Sequence, residues 1–368
     1  MNYIIAGAGK MARAVCYFLI HQKDTNDIII FDKSRENLDY FKKFKNVKLV
    51  NCDISRLKSL NKIKGRSKVL VSCLPYYFNL KLTMLCIDSE ISFLDLGGNN
   101  DVVREQFRLS ARAVSAGVGI VPDCGLAPGL VSLLTAYFVD YFDRTDEVKI
   151  YVGGLPVKPE PPLNYILVFS ISGLINEYIE DAVILSVGKI KKVPSLTGLE
   201  KVKIKGGIYE AFYTSGGIST MPQTYKGKVK NLEYKTVRYP GHVEKIRFLQ
   251  ELGFFTPENR RHSEQVLERN LFRNEPEDLI VLKVTGTGLK NQKHLTKTIE
   301  LIDYFDKKTR LTAMMRMTGF PAAAVAVLLA RGEIGKTGVL HQEKDIPYMK
   351  VIKSLKDFQI KFTGLGID

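Results

Sequence analysis

At 368 residues, 45 % hydrophobic and 25 % charged, the chain has the composition of an ordinary globular protein with room for two domains of roughly 100–200 residues each. The net charge of +15 is spread along the sequence, densest at 189–192, 201–205 and 226–230, without aromatic interleaving or a nucleic-acid motif, so a solvated lysine surface is the better reading than a nucleic-acid binder. No apolar run reads as long enough for a bilayer span, and strand character from residue 2 leaves no room for a signal peptide. Cys16, Cys52, Cys73, Cys86 and Cys124 form neither a Cys-x-x-Cys pair nor a cluster with histidine, which argues against a metal site and points to a reducing cytoplasm.

The first element is a short apolar run, then Gly7-x-Gly9-x-x-Ala12, then an apolar-periodic segment from Met11: strand, tight turn, helix. In a dinucleotide-binding unit Gly7 makes the turn, Gly9 admits a pyrophosphate to the backbone, and Ala12 lets helix and strand pack closely. The helix N-terminus at Lys10 and Met11 offers free N–H groups and a positive dipole end. A second buried strand at 28–31 ends in Asp32, at the spacing where a carboxylate reaches the adenosine ribose, which favours NAD. Lys33 and Arg35 lie just beyond and also admit the 2′-phosphate of NADP.

Further strands at 47–50, 69–72, 91–94 and 118–121 alternate with helical patterns at 11–21, 36–44, 78–88 and 102–116, which predicts an α/β, doubly wound parallel sheet. Ligands of such sheets bind beyond the carboxyl ends of the strands. Asp53 is placed to touch the adenine, with a plain turn role as the alternative, and Cys73-Leu74-Pro75 would border the nicotinamide. Asp95 has the same two readings as Asp53. The richest tip is Pro122-Asp123-Cys124-Gly125, where Asp123 stands on the expected catalytic edge.

From Glu147 the pattern changes. A strand enters a glycine turn at Gly153-Gly154, a stiff connector follows with Pro159, Pro161 and Pro162, and short alternating strands at 184–187, 201–204 and 209–213 suggest a mixed or antiparallel sheet. Residues 214–220 and 234–242 read as polar loops, and 318–330 as a long apolar helix.

Gly153-Gly-Leu-Pro156, Pro161-Pro-Leu-x-Tyr165, Asn176-Glu-Tyr178, Arg238-Tyr-Pro-Gly-His242 and Leu252-Gly-Phe-Phe255 resemble the saccharopine dehydrogenase-like reductases, most of all their shorter lysine 6-dehydrogenase branch, and the segment 122–129 fits the same family. The resemblance implies a Rossmann domain over 1–125, completed by a C-terminal segment from about 315 to 368, and an α/β substrate and dimerisation domain with a mixed sheet over 126–314. It implies a homodimer. It also implies NAD-dependent oxidative deamination of the L-lysine ε-amine, giving allysine, which cyclises to 1-piperideine-6-carboxylate, and ammonia.

Such a reaction needs a neutral amine, although free lysine titrates at about 10.4. Asp123 is the candidate to position the amine or relay its proton, assisted by Tyr165 and Glu177. The plainer reading of Tyr165 is a packed aromatic, and of Glu177 a surface helix carboxylate. Arg238 is the candidate fork for the α-carboxylate, being the first arginine after Arg144. His242 is a second substrate contact, a proton shuttle, or a structural histidine. Cys124 reads as steric or structural. Three alternatives stand beside lysine deamination: a saccharopine or carboxynorspermidine dehydrogenase acting on a secondary amine, a non-catalytic NAD sensor, and, last, a nucleic-acid binder.

Overall fold

The computed structural model describes residues 1–60, 68–274 and 276–366. It divides into two compact units: Met1–Leu133 with Met315–Gln359, and Leu134–Met314 with the chain from Ile360 onward.

In the first unit, strands β1 (Asn2–Ala6), β2 (Asp27–Asp32), β3 (Val47–Asn51), β4 (Val69–Ser72), β5 (Ser92–Asp95), β6 (Gly119–Val121) and β15 (Gly338–Val339) form one sheet in the order β15-β6-β5-β4-β1-β2-β3. All neighbours pair in parallel. Its central strands are covered on both faces, which is why β1 and β4 read as unbroken apolar runs rather than alternating ones. The helix Lys10–Ile20 buries Ala12, Ala14, Val15, Cys16, Phe18 and Leu19. Against it lies the helix Ala313–Arg331, where a Cβ on Gly319 would come within 2.7 Å of the Ala14 Cβ. That helix is 19 residues long and apolar enough by composition to cross a membrane, but 89 % of its apolar window is buried inside the protein. This corrects the expectation that no run reaches that length; Arg316 interrupts it in the sequence, and in the fold Arg316 is itself buried.

The second unit is built on a mixed eight-stranded sheet. Strands β10 (Glu200–Ile204), β11 (Gly207–Tyr213), β12 (Val229–Arg238), β7 (Arg144–Pro156), β13 (Asp278–Lys290) and β14 (Lys293–Tyr304) follow in that order, with β8 (Ala182–Ser186) on β12 and β9 (Lys189–Val193) on β8. Two local expectations are corrected. Gly153 and Gly154 do not turn; they lie inside β7, where a Cβ on Gly153 would stand 2.6 Å from the Val237 carbonyl and one on Gly154 2.8 Å from Met314 Cε. The glycines serve close packing. Likewise Tyr234–Arg238 is strand rather than loop, despite its polar side chains.

Strand alternation places Glu210 and Phe212 of β11 opposite Arg238 and Thr236 of β12 on one face of the sheet. The helices Ile171–Ile179, His242–Glu251 and Arg260–Leu271 share an apolar core with this face, including Tyr165, Leu174, Ile175, Tyr178, Phe212, Val243 and Leu267.

Candidate active site

At the carboxyl edge of the parallel sheet, Gly7 adopts φ +94°, and a Cβ there would lie 2.9 Å from Leu74 Cδ2 and 3.1 Å from the Cys73 carbonyl. Only glycine fits. Gly9 is different: nothing lies within 4 Å of where its Cβ would be. It precedes a helix with no side-chain cap and no acid in its first turn. An open glycine before an uncapped helix start fits a pyrophosphate. Lys10 is exposed at the first helical position and Met11 is half-buried behind it.

Asp32 stands beside this loop, and both its carboxylate oxygens receive backbone donors: Oδ2 from the Ala8 N–H and Oδ1 from the Ser34 N–H, each at 2.7 Å. Asn51 bonds the Asp32 and Lys33 carbonyls at 3.1 and 3.0 Å and accepts from Arg35 Nε at 3.1 Å. Thus Arg35 is steered to the β2 tip. Asp53 does not reach outward for an adenine; it caps its own turn, accepting from the Ser55 N–H and hydroxyl and pairing with Arg56 at 3.2 Å. Cys73 donates its N–H to the Ala6 carbonyl at 2.8 Å, burial pushes its thiol well above the usual range, and Pro75 leads into the short turn of helix Tyr76–Phe78.

On the same sheet edge, Asp95 and Asp123 form a buried pair of loops. Asp95 is 1 % exposed and accepts from the N–H groups of Gly97 (2.8 Å) and Asp123 (3.1 Å) and from Gln106 Nε2 (2.7 Å). Burial raises its carboxyl above the usual range. It is neither a simple turn cap nor an exposed ligand: it ties the β5 and β6 tips together. Asp123 is held at φ +57°. A Cβ on Gly97 would lie 2.3 Å from Asp123 Oδ1, so glycine is required for the carboxylate to lie there. Gln342 donates to the Pro122 and Asp123 carbonyls. Cys124 is 1 % exposed, and burial, with Asp95 and Asp123 nearby, raises its thiol far from the thiolate a nucleophile needs.

In the second unit, Tyr165, Arg238 and His242 do come together, and with them Glu177 and Tyr178. Arg238 is 3 % exposed. Its guanidinium carbon lies 4.6 Å over the Tyr165 ring, and Nη1 donates to the Val237 carbonyl at 3.0 Å. Nη2 stands 3.8 Å from Glu177 Oε2, and Nε is buried with no partner. Nε and Nη2 form the side-on edge of the guanidinium, where Nε is enclosed without a hydrogen-bond partner and Glu177 stands beyond hydrogen-bond distance of Nη2, while the Tyr178 hydroxyl also lies beside the group. The Tyr165 hydroxyl has only the Val168 backbone in reach and closes no hydrogen bond of normal geometry. Burial pushes the Glu177 carboxyl up to about 7 against the opposing pull of Arg238, although 27 % of the side chain remains accessible.

His242 departs from the expectation of a substrate contact or proton shuttle. It is 2 % exposed, Nδ1 lies 3.0 Å from the Leu163 carbonyl, and Nε2 lies 3.0 Å from the Tyr178 hydroxyl. A carbonyl only accepts, so Nδ1 carries the proton and Nε2 accepts. Burial, and then Arg238, lowers its pKa to about 3. His242 is a neutral holder of Tyr178. Glu210 is also structural, accepting from the Gly241 N–H (2.8 Å) and Val243 N–H (2.6 Å) at the start of the helix His242–Glu251. The sequence offered Glu177 as an assistant to Asp123 with a surface carboxylate as its plainer reading and Tyr178 only as part of the Asn176-Glu-Tyr178 motif, while Thr214 and Thr236 (bonded at 2.7 Å) carried no signal beyond their polarity.

Residues 3–121 match the family model for the saccharopine dehydrogenase NADP binding domain, and residues 125–360 that for the saccharopine dehydrogenase C-terminal domain. The chain belongs to the saccharopine dehydrogenase family. Within it, a saccharopine dehydrogenase of Saccharomyces cerevisiae, named as NADP(+)-dependent and L-glutamate-forming, is 23 % identical over 262 residues, which cover 68 % of this chain and 58 % of that relative. The mitochondrial alpha-aminoadipic semialdehyde synthase of Bos taurus is 22 % identical over 265 residues, 68 % of this chain and 28 % of its own length. The chain therefore matches less than two thirds of these curated relatives' length. The solved structure of apo saccharopine dehydrogenase (L-Glu forming) from Saccharomyces cerevisiae superposes with a TM-score of 0.81 at 18 % identity, covering 98 % of this chain and 99 % of that one, which establishes the α/β fold of this family member.

Proposed function

We propose that this protein is an NAD(P)-dependent oxidoreductase that oxidises a side-chain amine of an amino acid. L-Lysine is the leading substrate, converted to allysine (1-piperideine-6-carboxylate after ring closure) and ammonia. The observation that carries this reading is a buried Arg238 whose Nε/Nη2 edge is left short of hydrogen-bond acceptors, a group suited to one carboxylate, in a chain whose first unit presents an open glycine turn for a dinucleotide. When bound, the nicotinamide supplies the hydride acceptor.

The roles of the chain's own groups follow from their surroundings. Gly7, Gly9 and the uncapped helix start admit the pyrophosphate. Leu74, packed on Gly7, shapes the strand edge beside it. Asp123, held in one backbone conformation by Asp95 and Gln342, positions the reacting amine and takes its proton. Tyr165 stacks on Arg238 and keeps the fork flat against the site. A single fork suits lysine, which has one carboxylate. Nearby cations are otherwise engaged: Lys235 with Glu200, and Arg260 with Glu264 and Asn176.

The names of the relatives favour a second reading, a saccharopine or carboxynorspermidine dehydrogenase acting on a secondary amine. For the cofactor, the ribose-facing reading of Asp32 supports NAD, while the engagement of both its oxygens and the steering of Arg35 by Asn51 support NADP. A homodimer is part of the same proposal, checked by light scattering.

The deciding experiment follows formation of the reduced cofactor from NAD or NADP with L-lysine, alongside an ammonia assay. Reduced cofactor with equal ammonia supports lysine deamination. Turnover only with saccharopine or a carboxylated polyamine moves the protein to the second reading. No turnover with any amine, despite cofactor binding, overturns the enzymatic proposal.

A further inference from the structure

The pair Arg238–Glu177 is unusual among the arginine–carboxylate pairs of this protein. Arg331 and Asp24 close a bidentate fork, with both contacts at 2.8 Å. Arg238 is far more deeply buried than Arg331 and Glu177 is somewhat more covered than Asp24, yet the two stand at 3.8 Å. A buried ion pair left this loose forgoes most of the hydrogen-bond energy that would offset desolvation. The other carboxylate beside Arg238, Glu210, has both oxygens committed to backbone N–H groups. Among the described residues, Glu177 has Arg238 as its one ion-pair partner, and unlike Arg238 it keeps part of its side chain accessible. Glu177 is also fixed in place. It lies in the last turns of the helix Ile171–Ile179, and its carbonyl accepts the Ser215 N–H at 3.2 Å. A positive and a negative group held side by side, neither satisfied by the other, match a zwitterion.

We infer that Glu177 binds the α-ammonium group of the substrate while the Nε/Nη2 edge of Arg238 binds its α-carboxylate, so that the two residues recognise the α-amino-acid head group as a unit. This rests on the amino-acid reading above.

The test uses two ligands that lack any side-chain amine and differ only in the α-ammonium: L-norleucine and hexanoate. Calorimetric titration of the full-length protein and of Glu177→Gln, each checked for native melting, reads head-group recognition without turnover. The native protein should prefer L-norleucine over hexanoate by about 10- to 100-fold, the range of one charge-assisted hydrogen bond. Glu177→Gln should abolish that preference while leaving hexanoate binding within about twofold. If Glu177→Gln weakens both ligands equally, or keeps the preference, the assignment is wrong. If neither ligand binds the native protein, the clamp and the amino-acid reading fall together. A norleucine preference in the native protein that Glu177→Gln abolishes, in a protein that does not oxidise lysine, would overturn the lysine reaction and leave the clamp standing.

Discussion

The Tyr178 hydroxyl donates to Nε2 of His242 at 3.0 Å, because the other ring nitrogen is committed to the Leu163 carbonyl. The phenol oxygen is thereby left to accept, and it faces the Arg238 guanidinium, whose charge it helps to hold. The histidine thus orients the arginine through a tyrosine.

His242→Phe should keep the aromatic shape and remove the acceptor. The expected result is a rise of about tenfold in KM for the amino-acid substrate with kcat changed less than twofold, the size of one lost buried hydrogen bond. A fall in kcat with unchanged KM would contradict this positioning role.

Arg238→Lys keeps the charge but not the fork. A lysine makes a point contact and cannot lie flat on Tyr165. KM for the amino acid should rise about 100-fold, with cofactor affinity measured by reduced-nicotinamide fluorescence unchanged. Full activity in this variant would remove Arg238 from the site.

Among the groups that tie stability to pH, Glu177 and Asp278 act with one sign and His242 with the other. Glu177 and Asp278 are raised by burial to about 7 and about 6, so the folded state binds protons more readily than the unfolded one. Their contribution is present at low pH and is lost as pH rises from about 4.5 through 7 for Glu177 and from about 3.8 through 6 for Asp278. His242, lowered to about 3, acts the other way: its contribution is present above about 6.5 and is lost as pH falls toward 3. Urea melts should therefore show Glu177→Gln gaining stability relative to native protein as pH rises from 5 to 8. His242→Phe should flatten the acid limb below 6.5. Parallel curves for either variant would refute the corresponding assignment.

Substrate binding should follow Glu177 as well. The groups facing it are Arg238 on the sheet, Tyr165 and Tyr234 across the site and Tyr178 on its own helix; of these, only Arg238 carries charge near neutrality. Since the carboxylate form binds an ammonium, affinity for L-norleucine should fall as pH drops below about 7, and hexanoate affinity should not. Equal pH dependence for the two ligands would argue against Glu177 as the titrating contact.

At the cofactor end, Arg35→Ala should weaken NADP and leave NAD within about twofold, because the guanidinium can meet only the 2′-phosphate. Asp32→Ala should weaken both, since it releases the Ala8 N–H that shapes the glycine loop. A loss confined to NAD in the second variant would favour the ribose reading of Asp32.

The nucleotide-binding half was largely legible because its signals are local. A positive-φ glycine after an apolar run, as at Gly7, and strands buried on both faces leave period and composition marks within a few residues. The substrate half was less so, because its determinants are long-range. Gly153 looks like a turn in sequence, and becomes a strand residue only because the Val237 carbonyl lies where its Cβ would be. Glu177 reads as a helix-surface acid until β12 brings Arg238 beside it. His242 was ambiguous for the same reason: its two partners, Leu163 and Tyr178, are 79 and 64 residues away. Asp95 was underrated since nothing nearby in sequence reveals that the Asp123 N–H will meet it.

Strand β15 joins the parallel sheet beside β6 although more than half the chain separates them, and just after it Gln342 fastens the carbonyls of Pro122 and Asp123. The loop that carries Asp123 is thus secured by a residue that lies 219 positions further along the chain. During synthesis the glycine turn at Gly7 is made long before this clasp exists, so the two loops of one sheet edge are completed at different times.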